Sequence, residues 1–377
     1  MAFACLTWQL DHQPVHAVNA AMNQGAFITG LAGTVLRDDE RDFLHHTRPF
    51  ATILFARNIG QPADVIALCA AIRDALQDDR ALIFIDQEGG RVQRLRQPFW
   101  SSFVAAKWFG LLYDKRPEWG LEGVALQSRL IADDLTTLGI NAVCAPCLDL
   151  SIPGAHDIIG DRALSRDPAV IAALGRASME AYLASGVLPV AKHIPGHGRS
   201  LADSHVALPR VSLAKDVLAA SDFLPFAALA DCPFAMTAHI IYDAIDGART
   251  ATLSPDVISN IIRGDIGFRG ALMSDDLGMK ALSGSMDRLA ADCREAGIDL
   301  VLHCSGNMEE MRAVAAGAGR LTGMAQSRCA TAMARLQPSQ AFDRRQAEAR
   351  LTELLALVGA ADAYVAAASP PGSLAHV

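Results

Sequence analysis

The feature that most constrains this chain is a recurrence of short apolar runs: Phe27–Val35, Ala51–Ala56, Ala81–Ile85, Ile140–Leu150, Val187–Ala191, Phe234–Ile241, Gly270–Met273 and Ile298–His303. Between most of them lie stretches with helical spacing. In Pro62–Leu76, apolar residues fall at Val65, Ile66, Leu68, Cys69, Ile72 and Leu76. Glu122–Leu138 and Asp167–Ser185 repeat the pattern, and the second opens with Asp167-Pro168, an N-cap followed by proline at the first helical position. Alternating strand and helix signals imply parallel βαβ units, and eight of them imply an α/β fold closed into a (β/α)8 barrel.

On length alone, 377 residues could make two or three domains, but α/β barrels often exceed two hundred residues as one domain. The expectation is one domain over residues 1–366, with the barrel core at about 28–305. Ala-rich helices at Met308–Ala316, Leu321–Leu336 and Ser339–Val358 should cover the closing edge of the barrel. Residues 367–377 contain Pro370-Pro371-Gly372 and little to bury, which reads as a flexible tail.

Composition removes several classes. Hydrophobic residues at 51% and charged residues at 20% describe a folded globular protein and argue against bulk disorder. A formal charge of −8, with no Lys/Arg-rich run, gives no footprint for nucleic acid. No apolar run reaches the length that spans a bilayer, and Met1–Trp8 lacks the charged and apolar regions of a signal peptide. A cytoplasmic monomer with no membrane partner is expected. Most of the eight cysteines sit in apolar runs (Cys69, Cys144, Cys293, Cys329), as buried free thiols do. Cys144-Ala145-Pro146-Cys147 is formally a CxxC, but it stands on a predicted strand and has no second pair, so structural thiols are expected.

Polar clusters follow the ends of the apolar runs. Arg57-Asn58 follows the second, and Asp86-Gln87-Glu88-Gly89-Gly90-Arg91-Val92-Gln93-Arg94 the third. Asp149 ends the fourth run, His239 the sixth, Ser274-Asp275-Asp276 the seventh and His303 the eighth. After the fifth run, Lys192–His205 packs three histidines, a lysine and an aspartate into fourteen residues. Reactive groups gathered at the C-terminal ends of barrel strands mark an active-site face. A metal site built from His193, His197 and His205 fails on ligand chemistry, because HxxxH on a Pro-Gly loop is not the helical zinc motif. No metal and no cofactor are called for.

Four motifs together carry a resemblance: the Asp86–Arg94 stretch, Gly160-Asp161-Arg162, Lys192–His205, and Ser274-Asp275-Asp276-Leu277-Gly278-Met279. Occurring in this order, they resemble the family 3 glycoside hydrolases, in particular the bacterial β-N-acetylglucosaminidases of peptidoglycan recycling. The resemblance covers roughly residues 28–305.

Retaining glycoside hydrolysis needs a nucleophile on one face of the sugar and a proton donor near the leaving oxygen. The resemblance implies Asp275 as nucleophile. Asp276 suits the N-cap of a helix starting near Leu277. It implies His205 as general acid and base in place of a second carboxylate, with Asp203 as its partner. An unperturbed imidazole titrates near pH ~6.5 and can serve both steps. Lys192 and His193 are expected at the barrel end, donating to sugar hydroxyls, and Asp86, Arg94 and Arg162 match the other substrate-binding positions; these three could instead form an internal salt-bridge network. His197 reads as structural, bonding its loop to the barrel, and His239 and His303 as satisfied core histidines.

The implied activity is removal of terminal β-linked GlcNAc from a muropeptide fragment, GlcNAc-anhydroMurNAc with or without peptide. A phosphorylase, a β-glucosidase of the same family and a silent sugar-binding barrel are the alternatives. Three departures from the family pattern stand out: Ile194 for the common Phe, Arg199-Ser200 for Asp-Thr, and Gly278 for Ser. Of these, Arg199 adds a cation beside the catalytic loop.

Overall fold

A computed structural model describes residues 24–155, 157–200 and 208–367. Eight parallel strands close into a barrel: β1 (Gly25–Gly30), β2 (Pro49–Leu54), β3 (Leu82–Ile85), β4 (Ala142–Val143), β5 (Leu188–Ile194), β6 (Phe234–Thr237), β7 (Ala271–Asp276) and β8 (Leu300–His303). Each pairs with its neighbours in sequence, and β1 closes on β8 through Phe27–Val301, Ile28–Leu302 and Thr29–His303. Each of the eight expected runs contributes one barrel strand.

The helices follow their local signals. α1 is Asp38–Thr47, and α2 is Pro62–Leu76, with proline in its first turn and Gln77 closing it in the left-handed conformation. α3 (Pro117–Thr137) starts a turn before the apolar spacing suggested. α4 (Pro168–Ala184) is capped by Asp167, whose carboxylate accepts from Ala169 N–H at 2.8 Å. α5 (Met286–Ala296) and α6 (Met308–Ala318) pack together beside β8, and Asn307 caps α6. α7 (Gly323–Ala334) and α8 (Arg344–Ala356) end the described chain.

Side-chain parity builds the core, because alternate strand residues face opposite sides. Ile28, Phe84, Val190, Met236, Met273 and Leu302 face inward and form one buried cluster inside the barrel. Phe27, Ile83, Ala191, Ala235, Leu272 and Val301 face outward into the cluster shared with the helices. Leu321 and, on α7, Cys329 and Ala332 join the inner cluster beside residues at the strand starts, such as Ala26 on β1 and Phe50 on β2. Thus α7 stops the N-terminal end of the barrel and α8 packs on α3, so these helices do more than cover a closing edge.

Two expectations need correction. The fourth run does not form a strand over Ile140–Leu150; its regular ladder is only Ala142–Val143. Pro146 has no N–H to give, and the chain continues by irregular bonds such as Leu148 N–H to Lys192 O at 2.7 Å. No helix starts near Leu277 either. Residues 277–281 make turns, Gly284 takes a positive φ of 139°, and α5 begins only at Met286. The seven described cysteines are free and buried, including Cys144 and Cys147.

Candidate active site

The inward parity of the core continues past the strand ends and decides which polar residues meet. Two residues beyond Phe84 stands Asp86; two beyond Val190, Lys192; two beyond Met273, Asp275. All three line one cavity of about 230 Å³ at the C-terminal mouth, with Arg94, Arg162 and His193. The described residues among the expected site positions are therefore brought together. Asp203 and His205 lie outside the described residues.

Within this mouth the charges are paired. Lys192 Nζ donates to Asp86 Oδ1 at 2.9 Å, and Arg94 donates to Asp86 Oδ2 at 3.0 Å. Lys192 also stands 2.7 Å from Glu88 Oε1, and Arg162 grips both Glu88 oxygens at 2.8 and 2.9 Å. The salt-bridge alternative is realised, and Asp86, Arg94, Arg162 and Lys192 of that network also line the cavity. Burial alone would raise the Asp86 carboxyl, but Lys192 and Arg94 outweigh it and hold it below the ordinary range. Glu88 follows the same logic: burial opposes its charge, while Arg162 and Lys192 bring it down to about 2. Burial likewise opposes the Lys192 charge, but Asp86 and Glu88 outweigh that and keep its ammonium well above the ordinary range. The site therefore holds fixed charges, carboxylate acceptors beside cationic donors, which suits a neutral ligand rich in hydroxyls.

Glu88 is a residue that reading the motif left without a role. Its signal was its place inside the Asp86–Arg94 stretch. Asp149 is another. Its fully buried carboxylate accepts from His197 N–H at 2.6 Å and from His193 Nδ1 at 2.6 Å. Burial would raise this carboxyl; the two histidines outweigh it and hold it below the ordinary range. A carboxylate only accepts, so His193 carries its proton on Nδ1 and leaves Nε2 as the nitrogen available to a ligand. The 195–200 loop is bonded to the barrel through the His197 backbone N–H and through Gly196 O, which accepts from the Tyr242 hydroxyl at 2.6 Å, and burial pushes the His197 ring down to about 4.

Asp275 is the penultimate residue of β7, beside this network, with Oδ1 accepting from Asp276 N–H at 2.8 Å. Asp276 caps the following turn, accepting from Gly278 N–H at 3.1 Å and Cys304 N–H at 3.0 Å. His239 supports the same backbone: its Nε2 reaches the Asp276 carbonyl at 3.0 Å and its Nδ1 the Thr252 hydroxyl at 2.8 Å. It is a satisfied core histidine, as expected, and burial lowers its pKa. His303 is also buried and meets Ser305 Oγ through Nε2 at 2.9 Å. Arg199 turns away from the cavity to pair with the buried Asp222 at 2.6 Å and to reach Ser221 Oγ at 3.1 Å. Its charge is thus engaged at the stem of the loop.

A barrel with acids and cations locked in a cavity at its C-terminal mouth has the layout of an enzyme active site. Residues 18–338 match the family described as "Glycosyl hydrolase family 3 N terminal domain". The chain belongs to glycoside hydrolase family 3, and within it stands with the β-hexosaminidases. It is 40% identical over 285 residues to a β-hexosaminidase of Alkalilimnicola ehrlichii, covering 74% of this chain and 81% of that protein. A Xanthomonas campestris β-hexosaminidase is 39% identical over 295 residues, covering 76% and 87%. Among solved structures, NagZ of Neisseria gonorrhoeae aligns over 89% of this chain and 98% of its own, with a TM-score of 0.78 and 29% identity. A family 3 β-N-acetylglucosaminidase from Paenibacillus aligns over 89% and 68%, with a TM-score of 0.77 and 28% identity. No helix among the described residues is long and apolar enough to cross a membrane.

Proposed function

We propose that this glycoside hydrolase, of the β-N-acetylhexosaminidase type, is a retaining exo-enzyme that removes terminal β-linked GlcNAc from peptidoglycan fragments. The fragments are GlcNAc-anhydroMurNAc, with or without peptide. The observation that carries the reading is Asp275, an inward-facing carboxylate lining the cavity beside Asp86, Lys192 and Arg94, whose charges are already paired with one another. Asp86 and Glu88 are each held by two cations, whereas the Asp275 side chain is engaged only by its neighbour's N–H among the hydrogen bonds of the described residues. An anion so lightly held retains the lone pairs a nucleophile needs.

In the first step an Asp275 oxygen bonds to the anomeric carbon as the glycosidic C–O bond breaks. The leaving oxygen takes a proton from His205, whose partner is Asp203. In the second, water attacks the anomeric carbon, gives its proton to His205 and releases Asp275. Asp86, Arg94, Arg162, Lys192 and His193 hold the sugar hydroxyls throughout. A likeness to proteins named β-hexosaminidase and β-N-acetylglucosaminidase supports the substrate. Hydrolysis of an aryl β-GlcNAc, followed by proton NMR of the first product, tests it. The β-anomer is expected first. An α-anomer first would exclude double displacement, faster cleavage of aryl glucosides would make the chain a β-glucosidase, and sugar-1-phosphate formed in phosphate buffer would make it a phosphorylase.

A further inference from the structure

Behind His193, away from the sugar, three unlike ligand groups meet. Cys147 Sγ, an Asp149 carboxylate oxygen and a His193 ring nitrogen lie within 4.8 Å of one another, all on buried residues. Cys147 S–H donates to Asp149 Oδ2 at 3.3 Å, and His193 Nδ1–H meets the same oxygen at 2.6 Å. Two side-chain protons thus converge on one oxygen, which also accepts from the His193 backbone N–H at 3.2 Å. The other oxygen, Oδ1, is held by His197 N–H at 2.6 Å, so the carboxylate keeps its orientation without them.

We propose that Cys147, Asp149 and His193 bind a thiophilic divalent cation, zinc or cadmium, which takes the place of those two protons and suppresses turnover. Bonds of ~2.0–2.3 Å to nitrogen, oxygen and sulfur place tetrahedral ligand atoms roughly 3.3–3.5 Å apart. The sulfur–oxygen separation of 3.3 Å already fits. The nitrogen–oxygen contact of 2.6 Å has to open by roughly 0.7 Å, the width set by those bond lengths.

Protons and charge balance without any redox partner. Cys147 releases its proton to solvent and binds as thiolate; the His193 proton moves from Nδ1 to Nε2, freeing the Nδ1 lone pair; Asp149 stays a carboxylate. One proton leaves for each ion bound, and a cluster carrying one negative charge becomes neutral. Burial pushes the Cys147 thiol well above its ordinary range, so hard cations such as magnesium and calcium, which prefer oxygen ligands, do not displace its proton. On the sugar side His193 Nε2 turns from acceptor to donor, and the ion acts as an inhibitor, not a cofactor. Inhibition rests on the proposed hydrolase activity; binding does not.

The test uses the full chain titrated with cadmium chloride, read by ultraviolet thiolate-to-metal absorption, and separately with zinc chloride, read by aryl β-GlcNAc hydrolysis. One absorbing site per chain is expected, with turnover lost on zinc addition and restored by EDTA. Cys147→Ala should keep its basal turnover, lose the absorption and need at least about tenfold more zinc for half-inhibition. Cys147→Ser serves if the alanine variant misfolds, and Cys144→Ala, in the same run, should keep the absorption. Absorption that persists in both Cys147 variants, or none in the wild type, overturns the proposal. Because the absorption needs no substrate, a wrong activity assignment would not disguise either result.

Discussion

Replacing Glu88 by Gln perturbs the charged wall at a single point. The isostere keeps one carbonyl acceptor but turns the other oxygen into an NH2 donor, facing Arg162 and Lys192, which are themselves only donors. The Glu88 side chain is 7% exposed and that of Arg162 11%, so neither solvent nor rotation readily relieves the misfit. A carboxyl held at about 2 against an ordinary 4.5 contributes about 3 kcal/mol of stability at neutral pH. The cost of leaving one member of a buried ion pair alone, about 3–5 kcal/mol, agrees with it. At about 2 cal/mol/K of unfolding entropy per residue, 3 kcal/mol lowers the melting temperature by about 4 °C in a chain this long. The folded-state pKa is depressed, so this stability is fully present above 4.5 and is lost as pH falls through about 2. Wild type and Glu88→Gln should therefore differ most in melting temperature at pH 7, with the gap closing as pH drops below 4.5. If the chain relaxes instead by turning Arg162 outward, the loss appears as a raised KM. Equal melting temperatures and equal kcat/KM at pH 7 would refute the claim that Glu88 holds the wall in place.

Other variants separate the remaining roles. Asp149→Asn offers an NH2 to a position surrounded by donors and releases the His193 ring; kcat/KM should fall about 10–100-fold, the worth of a charged hydrogen bond at ~1.5–3 kcal/mol. Arg199→Ala leaves the buried Asp222 without its cation and should lower stability by about 1–3 kcal/mol in urea unfolding. Unchanged urea midpoints would make that pair incidental. Asp275→Ala removes a side chain with little structural role, so circular dichroism and melting should match wild type while hydrolysis disappears. Surviving turnover would move the nucleophile elsewhere.

The barrel was legible because each strand announces itself as an apolar run, and inward parity carries core residues such as Phe84, Val190 and Met273 on to Asp86, Lys192 and Asp275. Parity also explains why the motif residues converge. Strand β4 was overdrawn because apolar character cannot distinguish a hydrogen-bonded ladder from the irregular path around Pro146. The helix expected after Asp276 was a misread cap: the carboxylate caps a turn, and glycines at 278 and 284 carry the chain onward. Glu88 and Asp149 went unassigned because a carboxylate's partners are set by the fold. Glu88 meets Arg162 and Lys192, and Asp149 meets His193 and His197, across separations in sequence that only the barrel closes. Arg199 read as a loose cation near chemistry because Asp222 lies on a later segment.

The central claim is that Asp275 forms a covalent bond to the sugar. Incubation with a slow 2-fluoro-type glycosyl substrate, followed by proteolysis and mass spectrometry, tests it most directly, because the electron-withdrawing substituent slows release of a glycosyl-enzyme. The account predicts one sugar added per chain and the label on the peptide carrying Ser274-Asp275-Asp276, fragmenting to Asp275. A label on Asp86 or Glu88, or turnover of the substrate with no label formed, would contradict it.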